Sequence, residues 1–506
     1  MDLMENIKDE DVDISLIREI PFTFARSNRI LPLKKENGFF VAAVADDSGL
    51  FAAFELAKQY GLKPRFLKAD EDILIGAISR FYGQVGTAAE VMDNISGDDL
   101  LAVATEFERP RDLLELIEDA PIIRLLNALF QQAVKERASD IHIEPYEKEL
   151  EVRMRLDGIL HKVLSPPKII QEALVSRVKI MANLDIAEKR LPQDGRIRLL
   201  VGGQDVDLRV SIIPTVFGER VVLRLLNRKQ GLIGLAEMGM GEADMASFET
   251  LLARTSGIIL VTGPTGSGKT TTLYAALNRI YTVEKNVVTI EDPVEYQLTG
   301  IGQIHVNPKI GLTFASGLRS ILRQDPDTIM VGEIRDYETA EIAIQASLTG
   351  HLVLSTLHTI DASSAVVRLV DMGVEPFLVA SSLSAVLAQR LVRTICPDCR
   401  EEYAITAMER IYLPAHVSKL CRGRGCEKCK GSGYSGRTGI FEFMTVDANL
   451  RQMIAERASA QDIKKSAIEN GMQTLFRNGL DKVSQGITTL QEVLRVTQKD
   501  YADISL

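Results

Sequence analysis

Residues 258–270 read Ile258-Ile259-Leu260-Val261-Thr262-Gly263-Pro264-Thr265-Gly266-Ser267-Gly268-Lys269-Thr270. An apolar, β-branched run feeds directly into a glycine-rich loop ending in Lys-Thr, and a helical pattern from Thr270 to about Tyr281 follows. A polyphosphate is densely charged and needs many donors at short range. Glycines let the backbone curl around it and present successive N–H groups, while the helix behind points its positive end at the same place. In that arrangement Gly263, Pro264, Thr265, Gly266, Ser267 and Gly268 form the cradle. Lys269 reaches the β- and γ-phosphates, and the Thr270 hydroxyl, with Thr271 beside it, faces Mg²⁺. A glycine-rich turn without a ligand is the plainer alternative, but the strand before and the helix after favour a nucleoside triphosphate such as ATP.

Composition narrows the class further. At 506 residues the chain is long enough for three or four domains, and 46% apolar content supplies their cores. A formal charge of −10 argues against a nucleic-acid binder, whose affinity comes mainly from neutralising phosphates. No run of eighteen or more uncharged apolar residues occurs, and the acidic start Met1–Asp13 does not read as a signal peptide. The expectation is a soluble, intracellular protein that reaches a membrane only through a partner.

Composition shifts divide the chain. Residues 1–96 read as a small α/β module, with strands at Phe39–Val44 and Pro64–Leu67 and helices at Leu50–Tyr60 and Asp72–Tyr82. A polar linker spans 97–110, and an α+β domain occupies 111–228. Within that domain Val152, Met154 and Leu156 alternate with Arg153, Arg155 and Asp157. A glycine-containing linker at 229–241 leads to the nucleotide-binding core at 242–395. A cysteine-bearing subdomain at 396–435 and a C-terminal helical subdomain at 436–506 complete the chain.

Acidic residues recur at the ends of buried strands in the core. The run Asn286–Ile290 ends in Glu291, Asp292 and Glu295, a set suited to Mg²⁺ and its waters. The run Thr328–Val331 ends in Gly332-Glu333, where an acid orients metal or attacking water. Each segment alone reads as a core strand with a solvated acidic tip. Downstream of the glycine-rich loop, Glu333 and Glu295 read as functional, while Glu291 and Asp292 stand evenly between the two roles. A third run, Gly350–His358, has a polar end able to sense the γ-phosphate, with a structural role the ordinary alternative for His351. Arg319 and Arg323 lie four apart and share a helix face, whose default is a solvated surface.

Cysteine spacing gives a separate signal. Cys396-Pro397-Asp398-Cys399 and Cys426-Glu427-Lys428-Cys429 are two CxxC knuckles flanked by glycines and basic residues. Four thiolates so spaced can surround Zn²⁺ tetrahedrally, and a site with four protein ligands is structural rather than catalytic. Free thiols are the competitor, and Cys421 is left over, at the wrong spacing for a knuckle.

The motif order GPTGSGKT, VVTIEDPVEY, LRSILRQDPDTIMVGEIRD, TGHLVLSTLHT, CPDC…CEKC and GRTGIFE resembles the type II/type IV secretion ATPase superfamily. The resemblance runs from about Arg111 to Glu442 and includes ASDIHIEP and LPQDGR. It is strongest to the type II secretion branch, with the type IV pilus extension ATPases as the close alternative. The resemblance implies a multidomain α/β protein with a RecA-like P-loop core that hydrolyses ATP. It implies a homohexameric ring, with nucleotide held between the second N-terminal domain and that core. Implied partners are a bitopic inner-membrane secretion protein, the L component, bound through the N-terminal module, and the inner-membrane platform protein, the F component.

The resemblance also distributes roles by position. Lys269 and Thr270 map to the phosphate and Mg²⁺ contacts, Glu333 to the Walker B acid, Glu295 to the Asp box, and His351 and His358 to the His box. Arg209 and Arg224 map to arginines that approach the phosphates, and Arg319, Arg323, Arg335 and Arg437 to the family's other arginine positions. From the residues alone, Val206, Leu208, Val210 and Ile212 point one way and Arg209 the other, which an exposed sheet face explains equally well. Two rival classes remain: a nucleic-acid motor, disfavoured by the acidic charge, and an ATP-binding scaffold without turnover, disfavoured by the full set of carboxylates.

Overall fold

The chain divides between Lys229 and Gln230 into two units, each built around its own sheets. The structure is a computed structural model, and it describes residues 3–4, 7, 11–20, 22–82, 88, 121–201, 204–227, 233–414 and 417–497. The expected linker at 97–110, the opening of the second domain at 111–120 and the start of the second linker at 229–232 lie outside the described residues.

The first unit opens with β1 (Leu3–Met4), α1 (Ile14–Glu19), α2 (Phe22–Ser27), β2 (Ile30–Glu36), β3 (Phe39–Val44), α3 (Asp47–Gln59), β4 (Lys63–Ala69) and α4 (Glu71–Tyr82). Its sheet runs β1-β4-β3-β2. The apolar run of β3 feeds both faces: Val41 and Ala43 pack into one core cluster, Phe40, Ala42 and Val44 into the other. That is how a continuous apolar strand is satisfied.

The unit continues with α5 (Pro121–Lys135), β5 (Asp140–Pro145), β6 (Leu150–Leu156), β7 (Ile159–Leu164), α6 (Gln171–Met181), β8 (Gln193–Val201), β9 (Gln204–Thr215) and β10 (Gly218–Asn227). These strands form a six-stranded antiparallel sheet, order β7-β6-β5-β10-β9-β8. Here the alternation is the one expected. Ile141, Ile143, Val152, Met154, Leu208, Val210 and Ile212 face the core shared with α5 and α6. The register lines up Arg155, Asp140, Arg224, Arg209 and Arg196 in one row on the other face.

The second unit holds α7 (Glu242–Leu252), β11 (Gly257–Thr262), α8 (Lys269–Ile280), β12 (Val287–Glu291), β13 (Gly302–His305), α9 (Phe314–Ile321) and β14 (Thr328–Val331). Then come α10 (Tyr337–Leu348), β15 (Leu352–Leu357), α11 (Ala362–Asp371), α12 (Pro376–Ser382) and β16 (Leu383–Ile395). An insertion of β17 (Arg400–Ala404), α13 (Ala407–Arg410) and β18 (Lys419–Gly423) precedes β19 (Tyr434–Thr445) and helices α14 (Ala448–Ala455), α15 (Ala460–Glu469), α16 (Leu475–Ser484) and α17 (Leu490–Val496). The seven-stranded sheet runs β13-β12-β14-β15-β11-β16-β19, parallel throughout except for β19. Two apolar clusters cover its two faces.

Two expected boundaries move. The seam at 435/436 falls inside β19, which is an edge strand of the core sheet rather than part of a helical subdomain. The later half of the expected linker at 229–241 is packed: Leu235, Met238 and Met240 are buried, and Gly439 N–H donates to the Met238 carbonyl at 2.8 Å. An exposed edge strand invites unwanted pairing, and this apolar segment covers it. No helix among the described residues is long and apolar enough to cross a membrane.

Candidate nucleotide site and metal centre

Strand β11 delivers the glycine-rich loop to the C-terminal edge of the sheet, and helix α8 starts at Lys269. Gly263, Gly266 and Gly268 have φ of 151°, 80° and 90°, a region that side-chain-bearing residues rarely enter. At Gly263 a Cβ would also lie 2.5 Å from the Gln389 carbonyl oxygen and 2.6 Å from Ser267 Oγ, so the loop is closely backed by β16. Lys269 Nζ donates to the Gly263 carbonyl at 2.8 Å and the Pro264 carbonyl at 3.2 Å. Its ammonium is folded back over the cradle. Burial lowers the Lys269 pKa to about 8, with Glu333 opposing that shift and Arg390 adding to it.

Glu333 follows β14 and His358 follows β15, so both reach the same edge. Their side chains meet, His358 Nε2 lying 3.4 Å from a Glu333 carboxylate oxygen, while Arg335 pairs with the other oxygen. Burial, aided by the Lys269 charge and opposed by Glu333, holds His358 below its ordinary pKa, so it is neutral near pH 7.

Around the end of β12 the three acids separate. Glu291 is buried and accepts hydrogen bonds from Tyr274 Oη, Thr289 Oγ1 and Gln303 Nε2. Its carboxylate is engaged by these three donors inside the core, the structural one of the two roles its position left open. Asp292 is exposed and adds to the charge felt by Arg335. Glu295 N–H donates to Tyr274 Oη at 3.2 Å, which ties the loop of Asp292 and Glu295 to α8.

His351 is where the structure corrects the sequence reading. It precedes β15, with Nδ1 2.8 Å from the Ala346 carbonyl oxygen at the end of α10. Strands β11 and β15 are parallel, and six residues of strand span about 20 Å. His351 therefore sits at the edge opposite the cradle and cannot reach a γ-phosphate held by its own chain.

The arginines distribute unevenly. Arg335 is at the site, whereas Arg319 pairs with Glu338 at 2.7 Å and Arg323 donates to the Arg319 carbonyl at 2.9 Å. Arg437 lies on edge strand β19 opposite Arg393, four residues along β16 from Gln389. Arg209 and Arg224 belong to the first unit, where Arg224 Nε lies 3.0 Å from Asp140 Oδ1. Three contributors escape sequence reading. Gln389 Oε1 accepts from Thr272 Oγ1 at 2.6 Å, Arg390 Nη2 donates to the Ile360 carbonyl at 2.6 Å, and Thr262 Oγ1 accepts from Thr359 N–H at 2.9 Å. The only signal for the first two is a polar pair interrupting the buried run Leu383–Val392.

The cysteines form a second centre. The sulfurs of Cys396, Cys399, Cys426 and Cys429 all lie within 4.8 Å of one another. Cys396–Cys426, Cys399–Cys429 and Cys426–Cys429 are 3.9, 3.8 and 3.6 Å apart. A tetrahedron with Zn–S bonds near 2.3 Å has edges of about 3.8 Å, so the four thiols fit Zn²⁺. Burial opposes ionisation of Cys429, but the N–H groups of Cys426 and Gly433 outweigh it and hold its pKa down to about 6. Cys421 stands outside the cluster, with Arg400 Nη2 3.2 Å from its sulfur.

Comparison with known proteins matches residues 115–495 to the family described as Type II/IV secretion system protein and residues 4–88 to the MshEN domain. The chain is 50% identical over 489 residues to Type II secretion system protein E of Pseudomonas aeruginosa, covering 96% of this chain and 97% of that one. It is 44% identical over 503 residues to the Type IV pilus assembly ATPase PilB of Myxococcus xanthus, covering 98% and 89%. In fold it is similar to the Legionella pneumophila ATPase DotB, with a TM-score of 0.56 at 21% identity over 74% of this chain and 95% of that one.

Polyphosphate binding needs the Lys269 ammonium, so binding takes up a proton wherever the free lysine is partly neutral. Affinity for Mg·ADP should then fall by up to about tenfold per pH unit above pH 8. Calorimetry between about pH 7 and pH 9 checks this, and a constant affinity contradicts it. Protein purified without chelators should hold one zinc per chain by elemental analysis, and Cys426→Ser should lose it while still binding ADP. Absence of zinc from the unaltered chain would refute the centre.

Proposed function

The chain belongs to the type II/IV secretion system protein family, and on that premise we propose that it is the ATPase motor of a type II secretion system. ATP hydrolysis would drive pseudopilus assembly and the export of folded proteins across the outer membrane. The observation that carries the hydrolytic part is the meeting of Lys269, Glu333 and His358 at one end of the parallel sheet.

The chemistry follows from that meeting. Backbone N–H groups of Thr265–Thr270, at the start of α8, hold the phosphates, and Lys269 swings from its carbonyl partners onto the β- and γ-oxygens. Thr270 would hold Mg²⁺, which would neutralise charge on those oxygens when bound. Glu333 orients water for attack on the γ-phosphorus; the bond to the β–γ bridging oxygen breaks, and ADP and phosphate leave. Neutral His358 donates to Glu333 and steadies it. Glu295 is the second acid we assign to water positioning.

Other assignments rest on the resemblance and on charge. We assign Arg209 and Arg224 as cations that approach the phosphates, and we propose a homohexamer at the cytoplasmic face of the inner membrane. The N-terminal module would bind the L component, and the ring would act on the F component. A net charge of −10 supports a protein partner over a nucleic acid. The higher identity to the secretion protein favours secretion over pilus extension.

In a phosphate-release assay, Lys269→Ala should abolish turnover while leaving the circular dichroism spectrum intact. Arg209→Ala and Arg224→Ala should keep ADP binding and lose turnover on the order of 10³-fold, the scale of a cation that acts on the transferring phosphoryl group. Unchanged kcat would sink that assignment. Loss of the chain from its host should stop release of exported proteins; loss of pili with secretion intact would move the chain to the pilus branch.

A further inference from the structure

One buried carboxylate in the second unit has no part in the chemistry above. Glu442, in β19, has 0% exposure. One of its oxygens accepts from Ala362 N–H at 2.8 Å, and the other from Leu475 N–H at 3.3 Å. Ala362 and Leu475 are the first residues of α11 and α16, so both donors are among those a helix leaves unsatisfied at its start. A buried carboxylate is costly unless such charge-assisted bonds compensate it, and two helix dipoles converge on this one. A carboxylate offers acceptors on both sides; an amide would set its NH₂ against one of the N–H groups.

The connection leads back to the nucleotide site. Ala362 follows the loop His358–Asp361 that puts His358 against Glu333. That loop is fastened at Thr359 by Thr262, the last residue of β11, and at Ile360 by Arg390. Glu442 fastens its far end. We propose that Glu442 is a positioning residue for ATP hydrolysis. It fixes the 358–362 loop so that His358 stays on Glu333, and it ties that loop to the start of α16. The inference rests on the hydrolytic reading of the same site.

The test uses the full-length chain carrying Glu442→Gln, which preserves volume, and separately Ala362→Pro. The second removes that donor at the first position of α11, where proline is tolerated. Both should bind Mg·ADP within about threefold of the unaltered chain, because the cradle is untouched. Both should lower kcat on the order of ten- to a hundredfold, the scale of a displaced catalytic group. Adding Glu442→Gln to His358→Ala should slow turnover no further, since the two act as one unit. Hydrogen exchange should show loss of protection at 359–364 in Glu442→Gln, a readout independent of turnover. Unchanged kcat, additive losses in the double variant, or unchanged exchange would each overturn the proposal. If the unaltered chain itself does not hydrolyse ATP, the hydrolytic reading fails, and the exchange result still decides the structural part.

Discussion

The second unit is organised by the polarity of its sheet. Six neighbouring strands run parallel, so their C-terminal ends fall on one edge, and whatever follows each strand is brought together there. The glycine cradle after β11, Glu333 after β14, His358 after β15 and the acidic loop after β12 are far apart in sequence and adjacent for this reason alone. The same polarity excludes His351, which starts the strand that His358 ends.

Behind the charged edge lies a layer of buried polar side chains that holds it in shape. Tyr274 and Gln303 fix Glu291, Gln389 braces Thr272, and Thr262 clasps Thr359. Tyr274, Gln303 and Glu291 satisfy one another, as do Thr262 and Thr359, so each partner lost leaves another unpaired. Gln389 is held through Oε1 alone, and its buried Nε2 has no partner among the described residues. The cysteine subdomain solves a different problem. Among its described residues the stretch between β16 and β19 has a two-stranded ribbon and short helical turns, and four thiolates around a metal ion would brace it.

Much of this was legible in the sequence wherever the determinant is local. A glycine loop between a strand and a helix, and two CxxC knuckles, declare their geometry within a few residues. What escaped depends on tertiary placement. Reading Gly350–His358 as one polar-ended strand hid that its histidines flank opposite ends. Glu291 and Glu295 differ by four residues, yet Glu291 meets Tyr274 through its carboxylate and Glu295 through its backbone N–H. The glycines around Leu235–Met240 resembled a linker because the edge strand it covers lies two hundred residues on, and Gln389 and Arg390 matter only because β16 lies beside β11.

The proposed role of Glu333 is to orient water beside Lys269 and His358. The most direct measurement is single-turnover hydrolysis of Mg·ATP by the full-length chain and by its Glu333→Gln variant, with nucleotide content read after quenching. The Glu333→Gln variant should bind ATP and retain it unhydrolysed. Conversion of bound ATP to ADP at the rate of the unaltered chain would contradict it.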